Sequence, residues 1–227
     1  MLKRNTALIA LAVACLACAV GLAACGGNDD DTATSADSTA GAQCETVDAP
    51  PPKTDVKLKP PTADAPTAAG VTFDTSCGSF TVTFDDRAPK TAASFQYLAE
   101  SGLYDDTVFH RVVSGFVIQG GDPLGSDPQR AGTGGPGYSV DEKPPSDLSY
   151  TKGIVAMAKS SAEPPGRSGS QFYVVTGADA GLPPDYALVG KVTEGMDVVE
   201  AIDALGTPGA DGPPTQTVVI NTATPEG

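Results

Sequence analysis

The chain reads as a mainly β protein, a closed eight-stranded antiparallel barrel capped by two α-helices. Three observations predict this: many short runs rich in Val, Ile, Phe and Thr, turn residues between them, and only two stretches carrying helix start and stop signals. Strands are predicted over 71–75, 79–84, 108–112, 116–120, 154–159, 171–175, 188–193 and 217–221. The first helix is predicted over 90–101. Pro89 stands at its start, where a missing N–H and a fixed φ cost nothing, and Gly102 falls just past its end. The second is predicted over 196–205, stopped by Gly206 and Pro208. No internal repeat is present, and residues 70–227 suffice for one core.

The stretch with most chemical content is Phe109-His110-Arg111-Val112-Val113-Ser114-Gly115-Phe116-Val117-Ile118-Gln119-Gly120-Gly121-Asp122. Two short strands joined at Ser114-Gly115 are expected here. Alternation puts Phe109, Arg111 and Val113 on one face, with His110 and Val112 on the other. A guanidinium is always charged and presents a rigid fork of donors. On an apolar surface it requires an acceptor, which is either a carboxylate of the protein or a ligand. Phe116, Gln119, Gln171 and Tyr173 offer aromatic walls and amides suited to a small apolar ring beside a peptide group.

The N-terminus carries Lys3 and Arg4, then an apolar run to Ala24 made largely of Ala, Leu, Val and Cys, the pattern of a secretory signal over 1–24. Leu22-Ala23-Ala24-Cys25 resembles a bacterial lipobox, which implies acylation of Cys25 and a membrane anchor facing the extracytoplasmic side. Residues 25–69 are rich in Asp, Thr, Ser, Ala and Pro and read as a flexible tether. Cys44 and Cys77 remain as an even pair outside the cytoplasm, expected as a disulfide, with two free thiols the alternative. Asp and Glu number 28 against 14 Lys and Arg, a formal net charge of −14. Nucleic acid is therefore not an expected partner, since phosphate binding draws on basic patches absent here.

The block from 109 to 122 resembles the signature of cyclophilins, the peptidyl-prolyl cis/trans isomerases. Gly169-Ser170-Gln171-Phe172-Tyr173-Val174-Val175 is similar to the family's next core strand, and the stretch from Val189 to Val199 to its C-terminal strand and helix. The resemblance implies a catalytic role for Arg111. It also implies a substrate-binding surface of Phe116, Val117, Gln119, Ala158, Lys159, Gln171, Tyr173, Leu182 and Tyr186, with Phe116 as the floor of a proline pocket. Phe172 is expected in the core, turning Tyr173 to the groove. Proline-containing exported polypeptides are the implied partners of a monomer, and no cofactor or metal is required. Departures are Lys159 for the family's usual asparagine, Tyr173 for phenylalanine, Tyr186 for histidine and Gly181 where many members carry tryptophan. The last of these is expected to weaken cyclosporin binding.

One other function competes on these residues, and a third reading, a structural envelope lipoprotein, would not need the arginine and pocket together. The groove could hold proline-containing segments without turnover, as a chaperone or adaptor. A Ser/His/Asp hydrolase would have to use His110, the single histidine, whose flanks offer no nucleophile elbow.

Overall fold

The computed structural model describes residues 42–227. The predicted leader over 1–24 and Cys25 lie outside the described residues. Among the described residues no helix is long and apolar enough to cross a membrane.

The chain first lays down a hairpin, β1 (Gly70–Thr75) and β2 (Gly78–Phe84). Val71, Phe73, Phe80 and Val82 point inward and are buried, while on the opposite face the hydroxyls of Thr72 and Thr81 meet at 2.7 Å. This is the period-two pattern of a sheet wet on one side. Helix α1 (Pro89–Glu100) follows, with Pro89 in its first turn and Gly102 just beyond its end at φ 66°. Its N-cap, Ala88, has no side-chain acceptor to offer. Glu142, distant in sequence, accepts instead from the Lys90 and Thr91 amides at 3.2 and 2.7 Å, so a carboxylate meets the positive end of the helix dipole.

Next come β3 (Thr107–Val108), β4 (Arg111–Val113), β5 (Val117–Gly120), β6 (Val140–Asp141), β7 (Ile154–Met157), β8 (Arg167–Ser168), β9 (Phe172–Val175) and β10 (Leu188–Glu194). Helix α2 (Met196–Asp203) and β11 (Val219–Glu226) complete the chain. Nine strands form one antiparallel sheet in the order β3-β11-β1-β2-β10-β7-β9-β5-β4, and β6 pairs with β8 in a separate ribbon carrying the Arg167–Asp141 ion pair.

This corrects the expectation of a closed eight-stranded barrel. The strand expected over 108–112 is broken, and its halves, β3 and β4, lie at opposite ends of the sheet order although only two residues separate them. The sheet therefore curls, with isolated bridges from Val108 to Asp122 and from Val112 to Gly212 in place of a continuous ladder. The break also overturns the face assignment of Phe109. Its amide donates to Val218 O at 3.0 Å, and its buried ring lies 6.2 Å from that of Phe172, in the core rather than beside Arg111. Alternation is a property of a continuous strand and does not survive the crossing of the seam.

The core inside the curl is aromatic. Phe73, Phe80, Phe95, Tyr104, Phe109 and Phe172 are buried, and Phe73 stacks on Phe80 with centroids 5.1 Å apart. The double glycine of the sequence belongs to this packing. A Cβ on Gly121, at φ 76°, would come 2.6 Å from Ser170 O, so the chain leaves β5 against backbone that no side chain could approach.

Residues 42–69, expected to be part of a flexible tether, are held along the domain. The Cys44–Cys77 disulfide fixes one end. The amides of Lys53 and Leu58 then donate to Pro123 O and Pro136 O, each at 2.8 Å, and Gln96 Oε1 accepts from Thr67 and Ala68 at the far end. Val56 and Leu58 pack on the core. Composition undercounts such a segment, because its backbone groups are satisfied by the domain rather than by itself.

Candidate active site

Strands β5, β7 and β9 are covered on both faces, unlike β1 and β2. Their outward residues carry a second apolar cluster that includes Val117, Leu148, Tyr150, Ala156, Tyr173, Val175 and Leu188. Register sets one row across this surface: Arg111 pairs with Gln119, Gln119 with Tyr173, and Tyr173 with Ala156. The single arginine of the row thus stands at the β4 edge of an apolar floor.

That floor is a cavity of about 450 Å³ lined by Arg111, Phe116, Val117, Gln119, Ala158, Lys159, Tyr173, Leu182 and Tyr186. The sequence-predicted residues are thereby brought together from five segments. Gln171 is the exception. It lines a neighbouring cavity of about 680 Å³, walled by residues 132–139, which shares Gln119, Ala158 and Lys159 with the first.

Polar groups are chained along this boundary. Arg111 Nη1 donates to Gln119 Oε1 at 3.1 Å, Gln119 Nε2 to Gln171 Oε1 at 3.1 Å, and Gln171 Nε2 to Gly134 O at 2.9 Å. Gln171 therefore orients Gln119, which orients the guanidinium. On its other side Arg111 meets Asp211, with Nε to Oδ1 at 2.7 Å and Nη2 to Oδ2 at 2.8 Å. The Arg111 hydrogen bonds hold the Asp211 carboxyl below the usual carboxylate range. His110 lies behind the row, its Nε2 3.5 Å from Gln119 Nε2. Burial pushes its pKa down, the Asp122 charge opposes that and the Arg111 charge adds to it.

The far wall is built of tyrosines. Tyr186 meets Tyr173 and Tyr150 edge-on, at 5.6 and 6.0 Å between centroids, and Lys159 Nζ sits 5.4 Å above its ring. Among the described residues the Tyr173 hydroxyl is buried without a partner, and burial raises its pKa strongly. Burial likewise takes Tyr150 up to about 12. Phe116 is steered by Asp203, which accepts from the Gly115 amide and the Thr176 hydroxyl and so fixes the β4–β5 turn.

Phe172 is fully buried in the core and Tyr173 lines the cavity, the division read from the resemblance. Gly181 lies outside the cavity lining, exposed at φ 63°. The sequence reasoning did not find Tyr150, Asp203 or Asp211. Tyr150 had a faint signal as a lone aromatic after a polar stretch, and the two aspartates had none beyond their charge.

The family model described as cyclophilin type peptidyl-prolyl cis-trans isomerase/CLD matches residues 70–224. The chain belongs to the cyclophilin family. Among its relatives, a peptidyl-prolyl cis-trans isomerase-like 1 of Aspergillus oryzae is 37% identical over 155 residues, covering 67% of this chain and 93% of that one. A probable peptidyl-prolyl cis-trans isomerase A of Mycobacterium leprae is 37% identical over 175 residues, with 69% and 91% covered. Peptidyl-prolyl cis-trans isomerase B of Streptomyces anulatus is 40% identical over 159 residues, with 62% and 86% covered. The cyclophilin fold is matched by a crystal structure of a Cryptosporidium parvum cyclophilin obtained in the presence of the dipeptide Ala-Pro. Its TM-score is 0.61 at 29% identity, over 70% of this chain and 99% of that one.

Proposed function

We propose that this cyclophilin is a peptidyl-prolyl cis/trans isomerase that accelerates X-Pro rotation in exported proteins and is held at the extracytoplasmic face of the cell membrane by lipid on Cys25. The observation that carries the isomerase reading is the position of Arg111, a half-buried guanidinium at the edge of a cavity whose walls include Phe116, Val117, Tyr173, Leu182 and Tyr186.

Rotation about an X-Pro bond is opposed by amide conjugation, with a barrier of about 18–20 kcal/mol. At the transition state the amide is twisted, and its nitrogen has regained a lone pair. A fixed cationic donor aimed at that nitrogen stabilises the twisted form more than the planar one, and a dry pocket strengthens the interaction. Arg111 is that donor. Phe116 forms the floor under the proline ring, with Val117, Tyr173, Leu182 and Tyr186 as walls. Gln119 takes a hydrogen bond with the substrate backbone, Gln171 keeps Gln119 in place, and the segment at Ala158 and Lys159 borders the peptide. A gain of about five decades needs roughly 7 kcal/mol at about 1.36 kcal/mol per decade, more than one hydrogen bond supplies. Exclusion of water and twisting of the bound peptide contribute the remainder.

The anchoring rests on Lys3 and Arg4 ahead of an apolar run ending at Leu22-Ala23-Ala24-Cys25. On this reading residues 1–24 are removed, Cys25 is acylated and residues 70–227 form the catalytic domain, acting as a monomer. The Cys44–Cys77 disulfide supports an oxidising compartment. Radiolabelled palmitate should enter the wild-type protein and not Cys25→Ser, and equal labelling of both would refute the lipid site.

The isomerase reading is tested by NMR exchange between cis and trans forms of an Ala-Pro peptide. Exchange catalysed by wild type and lost in Arg111→Ala is expected. Binding without exchange in either would make the protein a proline-segment binder, and equal exchange in both would remove Arg111 from the mechanism.

A further inference from the structure

We propose that Asp211 is a positioning residue for catalysis, fixing the Arg111 guanidinium so that its two remaining donors face the substrate. The inference rests on the isomerase reading of Arg111 and assigns a role to a loop residue outside the cavity lining.

Asp211 is not beside Arg111 by chance of a flexible surface. The loop between α2 and β11 is tied to β4 by a hydrogen bond from the Val112 amide to Gly212 O at 2.8 Å, which sets residues 211 and 111 side by side. Thr215 braces the loop from behind, its amide donating to Leu205 O at 2.8 Å and its hydroxyl to the same oxygen at 3.0 Å. The close approach requires a glycine at the loop's start, since a Cβ on Gly206 would stand 2.9 Å from Val112 Cγ1 and 3.1 Å from the Ser114 amide nitrogen.

The carboxylate then takes Arg111 in fork geometry through Nε and Nη2, while Gln119 takes Nη1. A guanidinium has five N–H donors, so these three bonds leave one on Nη1 and one on Nη2 for a substrate in the cavity. Without Asp211 the guanidinium would be fixed only through Gln119 and would sample several rotamers. A catalytic donor must point at the place where the lone pair develops, and misplacement by about 1 Å is costly. The Asp211 carboxylate is 62% exposed against 29% for Arg111, so water screens its charge while its two oxygens still hold direction. Direction outweighs the lost bare charge on this account.

The test compares the full-length protein in detergent as wild type, Asp211→Ala, Asp211→Asn and Arg111→Ala. It measures kcat and KM for an X-Pro peptide, together with thermal melting. Asp211→Ala should lose about tenfold in kcat with KM within about twofold, the pattern of a lost transition-state interaction. Asp211→Asn, which keeps one acceptor, should fall between. A merely structural contact would lower the melting temperature and shift KM without this split. Unchanged or raised kcat in both Asp211 variants overturns the inference, as does a loss confined to KM. Should Asp211→Ala fail to fold, Asp211→Asn is read by the same criteria. Wild-type turnover in Arg111→Ala would instead refute the isomerase role of Arg111, and the positioning role with it.

Discussion

The Tyr150 hydroxyl clasps the Tyr186 backbone from both sides, donating to Tyr186 O at 2.6 Å and accepting from the Tyr186 amide at 3.0 Å. Tyr150 itself is fully buried and Tyr186 half-buried, so the clasp links the stretch before β7 to the segment that walls the cavity. Tyr150→Phe keeps the ring and removes both bonds, leaving the half-buried Tyr186 amide and carbonyl without that partner. A loss of about 1–3 kcal/mol is expected in denaturant unfolding. The wall carrying Tyr186 and Leu182 should loosen with it, and KM for an X-Pro peptide should rise more than kcat falls. Unchanged stability would show that water replaces the hydroxyl.

The Cys44–Cys77 disulfide closes a separation of 33 residues, for which chain entropy gives roughly 3–4 kcal/mol. Cys77→Ser should lose about that much in reversible unfolding. The hydrogen bonds of residues 45–69 should persist at lower stability, so limited proteolysis should cut this segment in the variant before the domain. Cleavage at the same rate in both forms would mean that the backbone bonds at Pro123 and Pro136 hold the segment unaided.

Much of this was legible in the sequence where local and global signals agreed. Pro89 and Gly102 bracket α1 because both act within one turn, and the division of Phe172 from Tyr173 that the resemblance implies holds because β9 is continuous. Phe109 was misplaced because nothing local marks the seam. Its strand breaks where the sheet curls, and the bond that holds Phe109 there goes to Val218 O, over a hundred residues away. The cavity residues follow from motif resemblance, whereas Asp211 and Tyr150 on loops, and Asp203 at the end of α2, take places that follow only from tertiary packing. Residues 42–69 show the same limit, since a segment poor in large apolar side chains can still be fixed by backbone groups that the domain supplies.

The burial of His110 sets the sign of a pH dependence in the fold. Burial lowers its pKa in the folded protein, Asp122 opposing and Arg111 reinforcing the shift, while in the unfolded chain it titrates near 6.5. Below about 6.5 the unfolded state binds the proton more readily, so stability is full above this range and declines as pH falls toward the folded pKa. The Asp85, Asp127, Asp141 and Asp211 carboxyls, each held below the usual carboxylate range by hydrogen bonds from an arginine, contribute little at this end. Guanidinium unfolding at pH 7.5 and pH 5.5 should therefore show lower stability at the acid point, and His110→Gln should flatten the difference. An equal difference in the variant would place the titration elsewhere.

Gly181 tests the side of the groove where the family resemblance leads one to look for an indole. A Cβ there meets nothing within 4 Å, so the obstacle to a larger residue is the backbone at φ 63° and not space. Gly181→Trp should cost about 1–2 kcal/mol for a left-handed conformation that L-residues disfavour. In return the indole can fold over Leu182 and extend the apolar wall, lowering KM for peptides with a bulky residue next to proline. Cyclosporin binding, measured by calorimetry, should strengthen in the variant relative to wild type. If neither ligand binds more tightly, the strained loop carries the ring away from the groove, and the open side at Gly181 is fixed by backbone geometry rather than by the missing side chain.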